Sequence, residues 1–368
     1  MVFAPRFSSD DQSIILGLQE IDRIRFRVER MLLMPKHEQW LRREALMRTA
    51  YSSTMIEDGT IPESEMEAVA RAAPASAIPK TRPEVINYAD ALEYVDFLSD
   101  FTGFDIPYQA TIQQIHWQLM RGIHDTHITP GKYRTVPNWI ERQGVKVYEP
   151  PSYLDVPILM KEFADWLATD DDTHPVLRAG AAACHAIAIH PFVDGNGRVA
   201  RLFAVLLLQR SGYGFRKLFA LDSYYQRNRD AYIEALGESF GERFMPDYDL
   251  TPWLVFFTQS LIVQGRNLEA KLTDWRMMVD RTHRTLKDVG LNERQVDGLI
   301  YATNIGHITR KDYIEITGVS PLTATRDLAM LAERKLLKPE GSGRSRKYRT
   351  VLQASKGKGE GKQDKRLL

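Results

Sequence analysis

His190-Pro191-Phe192-Val193-Asp194-Gly195-Asn196-Gly197-Arg198-Val199-Ala200-Arg201 is the stretch whose reading decides the fold. Upstream, Val176 to Ile189 is rich in alanine and isoleucine and reads as a buried helix. Pro191 disfavours helix at the residue before it, so that helix should end near His190. A helix C-terminus favours the protonated form of such a histidine through the dipole. Gly195-Asn196-Gly197 allows positive φ and close backbone approach, and successive N–H groups in such a turn form an anion-binding nest. A second helix is expected from about Arg198 to Arg210, with Leu202, Phe203, Leu206 and Leu207 on its apolar face. Its N-terminus aims more N–H groups at the same place. Arg198 and Arg201, three apart, share one face. Asp194 stands between histidine and nest, and an acid beside bound phosphates commonly holds Mg²⁺. A lone histidine or a lone Gly-Asn-Gly turn would read as a plain helical corner. The full set supplies what is needed to hold a nucleotide triphosphate and to take a proton from an attacking hydroxyl.

The segment resembles the signature of the Fic family, His-Pro-Phe-x-Asp/Glu-Gly-Asn-Gly-Arg-x-x-Arg, at every fixed position. Most family members with this signature transfer AMP from ATP to a protein hydroxyl. The resemblance implies that His190 is the general base toward a Ser, Thr or Tyr of the target. It implies that Asp194 coordinates Mg²⁺, and that Gly195, Asn196 and Gly197 cradle phosphate oxygens. Arg198 and Arg201 would neutralise the β- and γ-phosphates, so that Asn196, Arg198 and Arg201 act with His190 in catalysis. The implied cofactors are ATP and Mg²⁺.

The resemblance extends outward. Gly131-Lys132-Tyr133-Arg134 precedes Val136 to Tyr148, an alternating stretch broken by Arg142-Gln143-Gly144, which reads as a β-hairpin. In Fic proteins a hairpin here, the flap, pairs with the target backbone; the alternative is a plain surface hairpin. Tyr232 falls where relatives pack an aromatic near the adenine, with Tyr224 and Tyr225 as neighbouring candidates, although aromatics at helical spacing also build cores. Ser239 stands where some relatives carry an Asn that contacts the nucleotide. Asp249 to Trp253 looks like the start of the helix that follows the core.

Ser53 and Glu57, within Ser52-Ser53-Thr54-Met55-Ile56-Glu57-Asp58-Gly59, fit the Ser/Thr-x-x-x-Glu-Gly/Asn spacing of an inhibitory helix in many Fic proteins. The resemblance implies that its glutamate pairs with the second signature arginine, here Arg201, and occupies the anion's place. Asp58 departs from the pattern, with Gly59 one later; an ordinary helix end at Gly59 is the alternative.

The 368 residues are 43% hydrophobic and 26% charged, as in a globular protein. The one cysteine, Cys184, excludes an intramolecular disulfide and reads as core. Neither a signal peptide nor a membrane span is evident, so a cytoplasmic location is expected. Helices are expected over Ile14 to Leu33, Glu38 to Ile56, Glu63 to Ala72, Glu84 to Asp100, Tyr108 to Arg121 and Val156 to Leu167. Pro74 to Pro83 reads as a loop, and Pro252 to about Val289 as a long connector helix.

The last segment differs in character. From Asn292 to Tyr348 the pattern is helix, helix, turn, helix and basic hairpin: Thr309 to Ile316 reads as a short helix, Thr317 to Ser320 as the turn, Pro321 to Arg334 as the helix after it, and Lys338 to Arg349 as the hairpin. This resembles a winged helix-turn-helix domain. From Arg310 to Leu368 there are 15 Lys/Arg against 7 Asp/Glu, in a chain whose net charge is +1. That asymmetry points to an acidic partner, most simply DNA. Thr323, Thr325 and Arg326 would face the major groove, and Arg344, Arg346 and Lys347 would lie on the wing. Winged helices also mediate protein contacts.

The expected fold class is mainly α: a Fic-type helical core with a small β-hairpin flap, plus a C-terminal winged helix domain. The expected organisation is 1–105, a helical region with the inhibitory motif; 106–289, the Fic core and connector helix; 290–350, the winged helix; and 351–368, a basic disordered tail. Two functions compete: a protein adenylyltransferase held in check by Glu57, and a DNA-binding regulator whose nucleotide site senses ligand. Transfer of another nucleotide or removal of AMP stays open within the enzyme class. A protein substrate, DNA and a second copy of the chain are the candidate partners, and no membrane is expected. Walker and kinase catalytic-loop motifs are absent from the sequence.

Overall fold

The computed structural model describes residues 6–8, 11–58, 83–101, 105–123, 128–142, 144–169, 172–288, 290–343 and 346–351. The helix and loop expected within 63–82, Gly59, Arg344 and the tail beyond Val351 lie outside the described residues. The chain is mainly helical and divides into two compact units, Met1–Leu32 with Trp40–Leu272, and Leu33–Gln39 with Thr273–Leu368.

In the first unit the helices are α1 (Gln12–Arg30), α2 (Pro35–Asp58, which starts in the second unit), α3 (Pro83–Asp100), α4 (Tyr108–Met120), α5 (Val156–Ala168), α6 (Pro175–Ile189), α7 (Asn196–Arg210), α8 (Asp222–Arg227), α9 (Arg229–Phe240) and α10 (Thr251–Asp288, which runs on into the second unit). A hairpin, β1 (Ile140–Arg142) with β2 (Val145–Tyr148), precedes α5. The core is built on α6, buried from Val176 to Ile189 except at Arg178. Its small residues let neighbours come close. At Gly180 a Cβ would lie 2.8 Å from both Leu254 and Phe257 of α10, so only glycine fits. α7 packs along α6, and α3 and α4 pack on α7. His174 caps α6, its Nδ1 accepting from the Val176 N–H at 3.2 Å, with Pro175 in the first turn.

Two differences from the sequence expectation stand out. α8 has only six residues and breaks from α9 at Asn228, so it carries no long periodic signal. α2 begins at Pro35 rather than Glu38, because proline suits the first helical turn, where its missing N–H costs nothing.

The second unit contains α11 (Glu293–Ile305), β3 (His307–Thr309), α12 (Arg310–Thr317), α13 (Pro321–Glu333), β4 (Leu337–Glu340) and β5 (Lys347–Thr350), with the antiparallel sheet ordered β3-β5-β4. Strand β3 went unread in the sequence because three residues carry no period. Asn292 and Thr309 form capping boxes on α11 and α12, and Ser320 caps α13. Val296, Leu299, Ile308, Tyr313, Leu328, Leu331 and Leu337 fill the interior. Asp327 of α13 ties three helices together. It accepts from Arg294 Nε at 2.7 Å, Gln295 Nε2 at 2.7 Å and the Tyr313 hydroxyl at 3.0 Å. Burial pushes its carboxyl pKa up, but these donors outweigh burial and hold it below the ordinary value.

Asp327→Ala leaves Tyr313 and Gln295 without their acceptor, a loss of about 2 kcal/mol, so amide exchange over 293–333 should speed up roughly 30-fold while the first unit's amides keep their rates. Because the folded pKa is depressed, this stability is present above the unfolded carboxyl pKa and is lost as pH falls through the folded one. Unchanged exchange in α12 would count against the Asp327 anchor.

Candidate functional site

The signature loop joins α6 to α7. His190 caps α6 in the left-handed region, φ 51° and ψ 58°, a conformation that a non-glycine residue keeps only when its surroundings impose it. Those surroundings are visible. The buried Arg134 donates through Nε to the His190 carbonyl at 2.8 Å and through Nη2 to the Pro151 carbonyl at 2.5 Å. The Arg134 N–H donates to the Pro191 carbonyl at 2.9 Å. Asn138 Nδ2 donates to the Phe192 carbonyl at 2.9 Å. Asn196 closes the loop from inside: its Oδ1 accepts the Phe192 N–H and its Nδ2 donates to the Phe192 carbonyl, each at 2.9 Å. Gly195 then starts α7 at φ 78°, with Met120 Sδ 3.1 Å from where a Cβ would stand.

The His190 ring directs Nδ1 at the Ile187 carbonyl, 3.2 Å away. A carbonyl only accepts, so Nδ1 carries the proton and Nε2 keeps its lone pair. Burial of the ring pulls the His190 pKa down to about 4, against the Ile187 hydrogen bond that favours the charged form. The dipole argument from sequence, which favoured a protonated His190, is therefore corrected: desolvation outweighs the helix end. A second histidine, His116, stacks on Phe192 at 3.8 Å and accepts the Gly131 N–H on Nδ1 at 2.8 Å. Its Nε2 therefore donates to the Asp194 carbonyl at 3.2 Å. Burial takes its pKa to about 4 as well.

Asp194, with its side chain 56% exposed, accepts the Gly195 N–H at 2.6 Å and Arg198 Nη2 at 2.9 Å. Arg198 is buried, and its Nε has no hydrogen-bond partner among the described residues. Arg201 is deeper, its side chain 3% exposed. Its Nη2 donates to Ser53 Oγ at 2.8 Å, to the Ser53 carbonyl at 3.3 Å and to Glu57 Oε1 at 3.0 Å. Its Nε lies 2.7 Å from Asp222 Oδ1, and its Nη1 reaches the Tyr232 hydroxyl at 3.4 Å. Burial works against the Arg201 charge, but Tyr232, Glu57, Asp222 and Tyr88 outweigh it, so the guanidinium stays protonated. Glu57 lies over the turn itself: a Cβ on Gly197 would meet its Oε1 at 2.7 Å.

With this geometry in view, comparison with known proteins is direct. Residues 106–208 match the Fic/DOC family. The chain carries a Fic domain. Residues 293–351 match the C-terminal domain described as "Transcriptional regulator DIP2311-like". The protein adenylyltransferase Fic of Nematostella vectensis is 29% identical over 206 residues, 54% of this chain and 46% of that protein. The Drosophila virilis protein of the same name is 47% identical over 66 residues, 17% of this chain and 14% of its own. The chain thus spans less than half the length of these curated relatives. A Fic family protein from Desulfovibrio desulfuricans G20 superposes with a TM-score of 0.60 at 22% identity, over 98% of this chain and all of that one, which shows a shared fold.

Around the Fic domain the structure brings Ser53, Glu57, Arg201 and Tyr232 together and sets Tyr225 behind them. Tyr225 stacks on Tyr232 at 5.0 Å and lies fully inside. Tyr224 keeps partial exposure against Phe256. Ser239 Oγ accepts the Trp253 N–H at 3.0 Å, which anchors the start of α10. The hairpin is present, with Val145 63% exposed in it and Trp139 50% exposed just before it, and Arg142 bonds Asp230 at 2.6 Å. In the second unit Thr325 and Arg326 are exposed on α13, while the Thr323 hydroxyl meets Ser320 at 3.0 Å and the Thr325 hydroxyl donates to the Pro321 carbonyl at 2.9 Å. Arg346 is exposed and Lys347 half-buried in β5.

Sequence reasoning missed Arg134, His116, Asn138 and Asp222. It also missed Arg229, whose Nε donates to the Ile56 carbonyl at 2.8 Å and so holds the end of α2. Arg134 had one signal, its place in Gly131-Lys132-Tyr133-Arg134; the others had none, because their partners lie far along the chain. No group of three or more His, Cys, Asp or Glu suited to a metal occurs among the described residues. No helix among them is long and apolar enough to cross a membrane.

The His190 imidazole should titrate near pH 4 by NMR, well below the free value of about 6.5. A midpoint near 6.5 would mean that the ring is not desolvated as described.

Proposed function

We propose that the Fic domain is a protein adenylyltransferase that moves AMP from ATP to a Ser, Thr or Tyr hydroxyl of a protein, this chain included. The observation that carries the reading is His190: neutral, its Nδ1–H tied to the Ile187 carbonyl, its Nε2 lone pair free, one loop away from the N-terminus of α7. A neutral imidazole with a fixed tautomer is a ready general base. Nε2 takes the hydroxyl proton as the oxygen attacks the α-phosphorus. The bond from that phosphorus to the bridging oxygen breaks, and pyrophosphate leaves. The N–H groups opening α7 and the buried Arg198, whose Nε has no partner among the described residues, suit the phosphate oxygens. Asp194 is half-exposed and is the acid placed to hold Mg²⁺, which commonly takes one or two carboxylates and completes its shell with phosphates and water. When bound, the ion would offset phosphate charge. Tyr232 and the half-exposed Tyr224 are the aromatic candidates near the adenine; Tyr225 supports Tyr232 from behind.

Control falls to Glu57. Its carboxylate takes Arg201 Nη2 and overlies Gly197, where a phosphate would otherwise contact the turn. Ser53, one turn earlier on α2, holds the same guanidinium. The resting enzyme is therefore slow. Glu57→Gly should raise self-labelling from α-labelled ATP at least tenfold, since about 1.4 kcal/mol of relief suffices for that, and His190→Ala in the same background should abolish labelling with ATP still bound. Labelling no faster than in the parent protein would sink the inhibitory role of Glu57; labelling that survives His190→Ala would sink the base.

The second unit supports a separate proposal, duplex DNA binding with α13 in the major groove. Its support is the excess of cations from Arg310 onward and the exposure of Thr325, Arg326 and Arg346. Phosphate contacts release counterions, so affinity should fall steeply with salt, and Arg344→Ala with Arg346→Ala should flatten the slope by about 2 in log–log terms. Absence of binding to any duplex pool would assign this unit to protein contacts.

A further inference from the structure

Arg201 faces two carboxylates that differ in freedom. Glu57 stands in the last turn of α2 with its side chain 38% exposed. Asp222 opens α8, is 1% exposed, and lies 2.7 Å from Arg201 Nε. Its other oxygen receives the Tyr88 hydroxyl at 3.4 Å, a long contact from α3. The two acids also face different edges of the guanidinium: Glu57 accepts from Nη2, and Asp222 makes an ion-pair contact at Nε, whose N–H donates to Ser53 Oγ. A phosphate oxygen can therefore replace Glu57 without displacing Asp222. Ser53, which binds both Nε and Nη2, rides on α2 with Glu57. If the end of α2 moves away, Asp222 and Tyr232 are the partners among those described that remain.

We propose that Asp222 is a positioning residue, the permanent counter-ion that keeps the Arg201 guanidinium aimed at the triphosphate site once Glu57 withdraws. This rests on the nucleotide-transfer reading of the same site. A guanidinium left inside without an anion is strongly unfavourable and turns toward whatever acid or water it can reach. The acid of the signature loop, Asp194, is engaged by Arg198. Asp222 sits on α8, so its charge stays beside Arg201 even when α2 takes the Ser53 hydroxyl away from it. Release of Glu57 then exposes a preset binding edge instead of a loose side chain.

The test compares two nucleotides. The full chain with Glu57→Gly is titrated calorimetrically with ATP and with AMP, then again with Asp222→Asn added. AMP lacks the β- and γ-phosphates that Arg201 would hold. ATP affinity should fall about tenfold or more on loss of the counter-ion, and AMP affinity should stay within about twofold. Tyr88→Phe in the Glu57→Gly background is the milder variant and decides the matter should Asp222→Asn not fold; it should lower ATP affinity by about two- to threefold and leave AMP unaffected. Equal losses for both nucleotides would show a merely structural residue and overturn the proposal, as would no loss for either. A Glu57→Gly protein that binds ATP but transfers no AMP would defeat the transferase reading and leave the Asp222 comparison intact. One that binds neither nucleotide overturns both.

Discussion

A guanidinium taken out of water needs anions, and the first unit is organised around how Arg201 obtains them. Asp222 from α8, Glu57 and Ser53 from α2, and Tyr232 from α9 converge on one side chain of α7. Breaking a buried ion pair from one side typically costs about 3–5 kcal/mol, because it strands the remaining charge. Four elements, of which α2 is far in sequence from the other three, are thereby held in register by a group that cannot be left alone. Close approach follows from it: Gly197 has no Cβ because the Glu57 carboxylate and the Arg201 guanidinium fill that space at 2.7 and 3.0 Å.

The loop carrying His190 obeys a different constraint. It has little secondary structure of its own, so its backbone groups must find partners elsewhere. Arg134, Asn138, His116 and Asn196 provide them, each through side-chain bonds to loop backbone. The loop is thus set before any ligand arrives. The same enclosure lowers the pKa of the His190 ring and keeps it neutral, while the Ile187 carbonyl fixes its tautomer. Rigidity and neutrality have one cause, the dense packing around α6.

The second unit separates scaffold from surface in a comparable way. Asp327 faces inward from α13 and gathers Arg294, Gln295 and Tyr313, while Thr325 and Arg326 on the same helix stay exposed. Gly298 gives Tyr313 room to reach that acid; a Cβ there would sit 2.4 Å from its ring. One helix therefore anchors the interior with one face and offers polar and cationic groups with the other.

The sequence by itself determined what is local. The helices flanking the signature loop, the left-handed Gly195, the hairpin around Gly144 and the α2 placement of Ser53 and Glu57 all follow from period, turn chemistry or spacing within a few residues. Short elements without a period, α8 and β3, escaped that reading. The tertiary structure decided the rest. Asp222 becomes the partner of Arg201, Arg134 the support of the His190 carbonyl, and the His190 ring a neutral base against the pull of its helix dipole. Backbone bonds and dipoles act between neighbours and so are written in order along the chain. Desolvation and charge pairing act between groups such as Glu57 and Arg201, 144 residues apart, and take their values only once the interior has closed around them.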